Sequence, residues 1–157
     1  MANPLKMLKL KPTAFQLLQE VPINASPAKV WKSLLNTGAW FGMEHERGTC
    51  KIEPEIGGRF MSRTADGSEA RLFGFVAHIE PEKLLRINGP MGMTHLPVQT
   101  SMIWQLEPTS GGKATRLRFC HRAYGLMTAD KKKQYQNGWK MFLGQLKALA
   151  EKSKRGK

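Results

Sequence analysis

From residue 48 to residue 122 the chain reads as strand after strand, and a single amphipathic helix follows. No other feature narrows the fold as much. Apolar and polar residues alternate over 49–53, 59–64, 70–79, 84–87, 98–107 and 115–122. The segments between them carry turn chemistry suited to antiparallel hairpins: Gly57-Gly58, Asp66-Gly67, Glu80-Pro81 and Gly111-Gly112. Val98, Thr100, Met102, Trp104 and Leu106 share one face of their strand, and Leu117, Phe119 and His121 share one face of the next. Residues 88–97, with two glycines, two prolines and two methionines, read as a long loop. Over 130–150, Tyr135, Trp139, Phe142, Leu146 and Leu149 recur at helical spacing. Lys133, Asn137, Lys140, Gly144, Lys147 and Glu151 fall on the other, solvated side. Consecutive hairpins curl under the native twist, so the helix must bury its stripe in the concave face of the sheet.

Upstream, residues 14–21 alternate as a first strand. Ser26-Pro27 then opens a short helix, with Ser26 as cap, Pro27 at the first helical position, and Val30, Trp31, Leu34 and Leu35 as its apolar stripe. A second helical turn over 37–42 carries Trp40 and Phe41. The expected architecture is α+β: a curved antiparallel sheet of six to seven strands wrapped around a long C-terminal helix, with two short helices after strand one. A chain of 157 residues is one ordinary domain, here 13–150, between a basic flexible N-terminal tail (1–12) and a basic flexible C-terminal tail (151–157).

Gly138 sits inside the final helix, at the edge of the buried stripe and beside the largest side chain of the segment. A mid-helix glycine costs about 1 kcal/mol relative to alanine. Two readings stay open: close packing of the helix on the sheet, or a space beside the Trp139 indole for something other than protein.

Of the formal charge of +13, six lie in the tails, in Lys6, Lys9 and Lys11 and in Lys152, Lys154, Arg155 and Lys157 less Glu151, and the rest is scattered apart from the run Lys131-Lys132-Lys133. Such a field favours acidic partners. No nucleic-acid-binding motif accompanies it, and specific nucleic-acid recognition is not expected. No apolar run approaches the ~20 residues of a membrane span. The N-terminus makes a poor signal peptide, and two cysteines far apart suit a reducing compartment; a cytoplasmic protein is expected.

The residues resemble a known family. Ile23-x-Ala25-Ser26-Pro27-x-x-Val30-Trp31 is similar to the entry to the first helix of SRPBCC (START-like, helix-grip) domains. Gly57-Gly58-Arg59-Phe60 and Gly74-Phe75-Val76 through Ile79-Glu80-Pro81-Glu82-Lys83-Leu84 resemble the branch named after the C-terminal domain of the activator of Hsp90 ATPase. Thr115-Arg116-Leu117-Arg118-Phe119-Cys120-His121 and Gly138-Trp139-x-x-x-Leu143-x-x-Leu146 complete the order. The resemblance implies the helix-grip fold and an internal apolar cavity, without implying one activity: relatives include lipid and hormone carriers, polyketide cyclases and the Hsp90 co-chaperone.

On that footing the first expectation is non-catalytic binding of a small apolar or amphipathic ligand between sheet and helix. The residues expected to line the cavity are Trp40, Phe41, Phe60, Thr100, Met102, Trp104, Phe119, His121, Tyr135, Gly138, Trp139 and Phe142. His121 and Thr100 would orient the ligand, and Trp139→Ala would weaken binding more than folding. A cyclase or dehydratase using His121 as acid–base is the enzymatic alternative, placed behind it, and a module acting on an acidic chaperone surface is a third. The plain alternative for His121 is a strand-end histidine bonded to backbone or to Tyr135. His45 between Glu44 and Glu46 reads as an exposed loop, and neither metal nor cofactor is expected. Met91 and Met93 are read either as an adaptable mouth or as an ordinary mobile loop. A monomer or weak dimer is expected.

Overall fold

The computed structural model describes residues 4–7, 9–42, 49–64 and 66–152. A helical turn, α1 (Pro4–Met7), precedes strand β1 (Thr13–Ile23), helix α2 (Pro27–Leu35) and a 3-10 turn (Thr37–Ala39). Then come β2 (Cys50–Ile52), β3 (Arg59–Arg63), β4 (Ala70–Glu80), β5 (Leu84–Gly89), β6 (Val98–Thr109), β7 (Ala114–Gly125) and helix α3 (Lys131–Glu151). The strands form one antiparallel sheet in the order β1-β7-β6-β5-β4-β3-β2, so the first strand closes against the last. This is the helix-grip architecture.

Local chemistry accounts for the element boundaries. Ser26 Oγ accepts from the Lys29 amide at 3.3 Å, and Pro27 fills the position that has no intrahelical bond to lose. Alternation along β7 buries Thr115, Leu117, Phe119, His121 and Ala123 while Arg116, Arg118, Arg122 and Tyr124 face out. Register shifts in β3 at Phe60/Met61 and in β4 at Val76/His78 bend that half of the sheet. Where β4 and β5 cross most closely, Gly74 and Gly89 meet: a Cβ on Gly89 would lie 2.4 Å from Gly74 Cα.

Helix α3 crosses the concave face and buries Trp139, Leu143, Leu146 and Ala150, with Tyr135, Phe142 and Leu149 half-buried along one margin. The stripe is thus rotated about one residue from the one expected from spacing. Lys147 and Glu151, expected on the solvated side, anchor its C-terminal end instead. Lys147 Nζ donates to the Pro22 carbonyl (2.6 Å) and to Glu151 Oε2 (2.7 Å), and the same carboxylate oxygen accepts from the Asn24 amide at 2.7 Å. Thr115 Oγ1 donates to the Ala25 carbonyl at 2.8 Å, fastening the β1–α2 connection to β7. The loop after β5 is packed as well. Met91 and Met93 are buried, and the amides of Met91 and Gly92 donate to the Phe73 and Leu72 carbonyls. Cys50 and Cys120 are not joined in a disulfide. No helix among the described residues is long and apolar enough to cross a membrane.

Candidate functional site

The space between sheet and helix is filled along most of its length by aromatic rings. Trp104, Phe119 and Trp139 interlock with centroids 4.3–5.7 Å apart, and Phe41 contacts Phe60, Phe73, Trp139 and Phe142 at 4.9–5.6 Å. Seven of the twelve residues expected to line a cavity, namely Trp40, Phe60, Thr100, Met102, Trp104, Phe119 and His121, lie within this packed interior. Thr100 is occupied, its Oγ1 donating to the Gly89 carbonyl at 2.8 Å. Trp40 donates from Nε1 to the Leu34 carbonyl at 3.1 Å.

The other five, Phe41, Tyr135, Gly138, Trp139 and Phe142, converge on an open cleft of about 540 Å³ at the N-terminal end of α3. Its remaining walls are Gly42, Arg71 and Phe73, Met91 of the loop after β5, and Lys131, Gln134, Asn137 and Met141 of the helix. The glycine question is settled by distance. A Cβ at Gly138 would make one ordinary contact, with Phe142 Cε2 at 3.8 Å, so the glycine is not required by a close approach to the sheet. The cleft has an aromatic floor and a rim bearing Arg71 and Lys131, with no carboxylate among the described residues of its walls.

Sequence reasoning missed Arg71, Phe73 and Lys131. Lys131 was absorbed into a run of lysines, yet the row Lys131, Tyr135, Gly138, Phe142 repeats at helical spacing and contains the conspicuous glycine. Phe73 and Arg71 belong to the bulged half of the sheet, where alternation loses its meaning.

Behind the cleft lies His121, fully buried. Its partner is neither backbone nor Tyr135: Trp139 Nε1 donates to its Nδ1 at 2.9 Å. Phe15 and Tyr135 each pack against the imidazole at 5.3 Å between centroids, near perpendicular. Burial lowers the His121 pKa from 6.5 to about 4, so the ring is neutral at physiological pH. Its Nε2 is buried without a hydrogen-bond partner among the described residues, as is Trp104 Nε1. An unmet buried donor costs about 1–3 kcal/mol. Tyr135 lines the cleft on one side and touches His121 on the other, and its hydroxyl donates to the Met91 carbonyl at 2.8 Å. Its own pKa is pushed up to about 12 by burial, against a small opposing effect of Arg71.

Trp139 is 1% exposed and holds several rings together besides bonding His121. Truncating it would remove a core keystone at a cost of about 3–5 kcal/mol, so Trp139→Ala does not separate binding from folding. Gly138 does. Of the other histidines, His78 Nε2 pairs with Glu80 Oε1 at 3.2 Å on the exposed face, and His45 with its flanking glutamates lies outside the described residues.

A second, wider depression of about 730 Å³ lies on the convex face of the sheet, over Leu18, Ile103 and Cys120 and bordered by Arg86, Arg118 and Arg122. Arg118 is paired with Glu20 (3.3 Å) and Glu107 (3.7 Å), while Arg86 bonds Asn88 and Ser101.

Solved structures share this architecture. A protein from Rhizobium leguminosarum, described as putative and uncharacterized, superimposes with a TM-score of 0.69 at 15% identity, over 91% of this chain and 98% of that one. A Mesorhizobium loti protein does so with a TM-score of 0.62 at 22% identity, over 88% and 98%. An Aha1 from Colwellia psychrerythraea, whose solution structure is that of a dimer, gives a TM-score of 0.62 at 21% identity, over 89% and 98%. At these identities the likeness shows the fold alone. No curated protein matches the sequence. The sequence pattern of one family, described as activator of Hsp90 ATPase homolog 1-like protein, matches residues 24–151.

Proposed function

The chain belongs to the family of activator of Hsp90 ATPase homolog 1-like proteins, and from that premise we propose that it is a non-catalytic module binding a small amphipathic molecule in the cleft at the N-terminal end of α3. The observation that carries this reading is the vacancy at Gly138, open beside Trp139 and Phe142 and overlooked by two cations. An aromatic floor gains affinity by removing apolar ligand surface from water, at about 25 cal/mol per Å². Lys131 at the rim favours a ligand whose outer end is anionic or strongly polar. His121, sealed from solvent and neutral down to about pH 4, lends no support to an acid–base reaction. The protein so read acts in the cytoplasm, as a monomer or weak dimer.

The probe is 1-anilinonaphthalene-8-sulfonate, an aromatic anion whose emission rises in apolar surroundings. One saturable site is expected on the wild-type protein. Gly138→Leu, which builds into the cleft from a half-buried helix position, is expected to weaken it at least about tenfold, equivalent to 1.4 kcal/mol, while the unfolding temperature holds or rises with the gain in helix propensity. Equal binding by the folded variant would overturn the placement.

A protein-interaction reading is favoured by one observation of its own, the convex depression with its apolar floor and arginine border. Under that reading an acidic protein surface docks there, and Arg122→Glu abolishes a salt-sensitive association that Gly138→Leu leaves intact.

A further inference from the structure

We propose that the cleft continues inward to His121, whose Nε2–H receives an uncharged oxygen acceptor of the ligand, with Tyr135 as the side chain that turns aside to admit it. This inference rests on the cleft reading above and specifies the ligand's inner end.

An indole nitrogen can only donate, so the 2.9 Å bond from Trp139 Nε1 makes His121 Nδ1 the acceptor. The ring is neutral, and its single proton therefore sits on Nε2. That nitrogen, on the other side of the ring, is buried without a partner among the described residues. Buried donors are nearly always satisfied, and each exception calls for an explanation, here an acceptor that the surrounding side chains do not supply. A metal ion does not fit, because Nε2 offers a hydrogen and not a lone pair. A carboxylate does not fit, because the surroundings are the rings of Phe15, Tyr135 and Trp139, where a buried charge would go uncompensated. A ketone, ester or amide carbonyl fits both conditions.

Tyr135 touches both the cleft and this imidazole. It packs edge-on against the ring, as Trp139 does, but unlike Trp139 it is only half-buried, and its hydroxyl is bonded to the Met91 carbonyl. Met91 has φ of 46°, the left-handed region a methionine rarely adopts, so the latch is attached to a strained stretch of backbone. The polar rim and the buried donor then define the two ends of one ligand: anionic or polar outside, carbonyl inside, apolar between.

The experiment compares 2-acetylnaphthalene with 2-isopropenylnaphthalene, two probes of nearly one shape in which a carbonyl oxygen is exchanged for CH2. Titrations with the full chain are followed by NMR, reading the His121 Nε2–H resonance together with affinity. The ketone is expected to bind about tenfold tighter and to move the Nε2–H resonance, which the hydrocarbon leaves in place. His121→Phe is expected to erase the preference, and Tyr135→Phe, which releases the latch, to speed entry of both probes. Equal affinities in the wild-type protein would overturn the inner site while leaving the cleft standing. Binding of neither probe would overturn the cleft itself. A ketone preference that survives His121→Phe would assign the carbonyl to another donor. Should His121→Phe fail to fold, the resonance in the wild-type protein decides alone.

Discussion

Acidification offers a direct measure of how dry the interior around His121 is. The unfolded chain takes up a proton on this imidazole near pH 6.5, whereas the folded chain refuses it until about pH 4, because burial penalises the charged ring. The folded pKa is the lower one, so His121 has no effect on stability above pH 6.5. Below it, the unfolded state gains by binding a proton that the native state cannot bind. At 1.36 kcal/mol per unit, linkage predicts a loss of about 2 kcal/mol at pH 5 and about 3 kcal/mol at pH 4. Phe15 from β1 and Tyr135 and Trp139 from α3 have ring contacts with the imidazole. Of these only Tyr135 titrates, and it stays neutral throughout this range. Glu53, bonded to Arg59, and Asp66, bonded to Ser68 and Thr64, are held down to about 2. They therefore weaken the fold only at lower pH, and equally in any His121 variant. Urea unfolding followed by tryptophan emission at pH 7.5, 6 and 5 in the wild-type protein and in His121→Phe isolates the effect. Phenylalanine leaves Trp139 Nε1 unpartnered, a constant cost at every pH, but removes the titration. The wild-type protein should lose about 2 kcal/mol more than the variant between pH 7.5 and 5. Parallel loss in the two proteins would refute the reasoning, since it would mean that water or a counter-charge reaches the ring.

Two further substitutions test the glycines. Gly138→Ala meets only ordinary contact with Phe142, so it should stabilise the protein by up to about 1 kcal/mol through helix propensity, read as a higher urea midpoint. A lower midpoint would mean that the vacancy is structural. Gly89→Ala places a methyl group 2.4 Å from Gly74 Cα, backbone against backbone. It should cost several kcal/mol, on the order of severe overpacking, and wild-type stability of that variant would show that β4 and β5 can part there without loss.

Much of the fold was legible because its signals are local. Period-two alternation, the turn pairs at Gly57-Gly58 and Gly111-Gly112, and the Ser26-Pro27 cap each act within a few residues. Closure of β1 on β7, eleven pairs from Thr13↔Gly125 to Ile23↔Thr115, brings together residues about a hundred positions apart, and no local pattern announces it. The two bulges of β4, at Phe73 against β3 and at Ala77 against β5, were hidden for the same reason, and with them the inward turn of Phe73. For the site, alternation told which face a side chain occupies but not how deep it lies. Phe119 and His121 share a face with Leu117, yet whether they line a void or fill it depends on Trp104 and Trp139, which arrive from a strand and a helix distant in sequence.

That dependence explains why the space lies at one end of the grip. A straight helix cannot follow a curved sheet along its whole length, so a gap must open somewhere, and side-chain size decides where. At the C-terminal half of α3 the helix is drawn in by Leu146 and Ala150 and fastened through Lys147 to Pro22 and through Glu151 to Asn24. In the middle the gap is taken up by Trp139 against Trp104 and Phe119. One turn earlier the next ring, Tyr135, leans across to Met91, and Gly138 puts nothing beside it. The glycine therefore does not bring the helix closer to the sheet; it leaves unfilled the one stretch where α3, the loop after β5 and the basic rim already face each other. A ligand seated there would be measured against the most rigid part of the core, with its outer end within reach of Arg71 and Lys131.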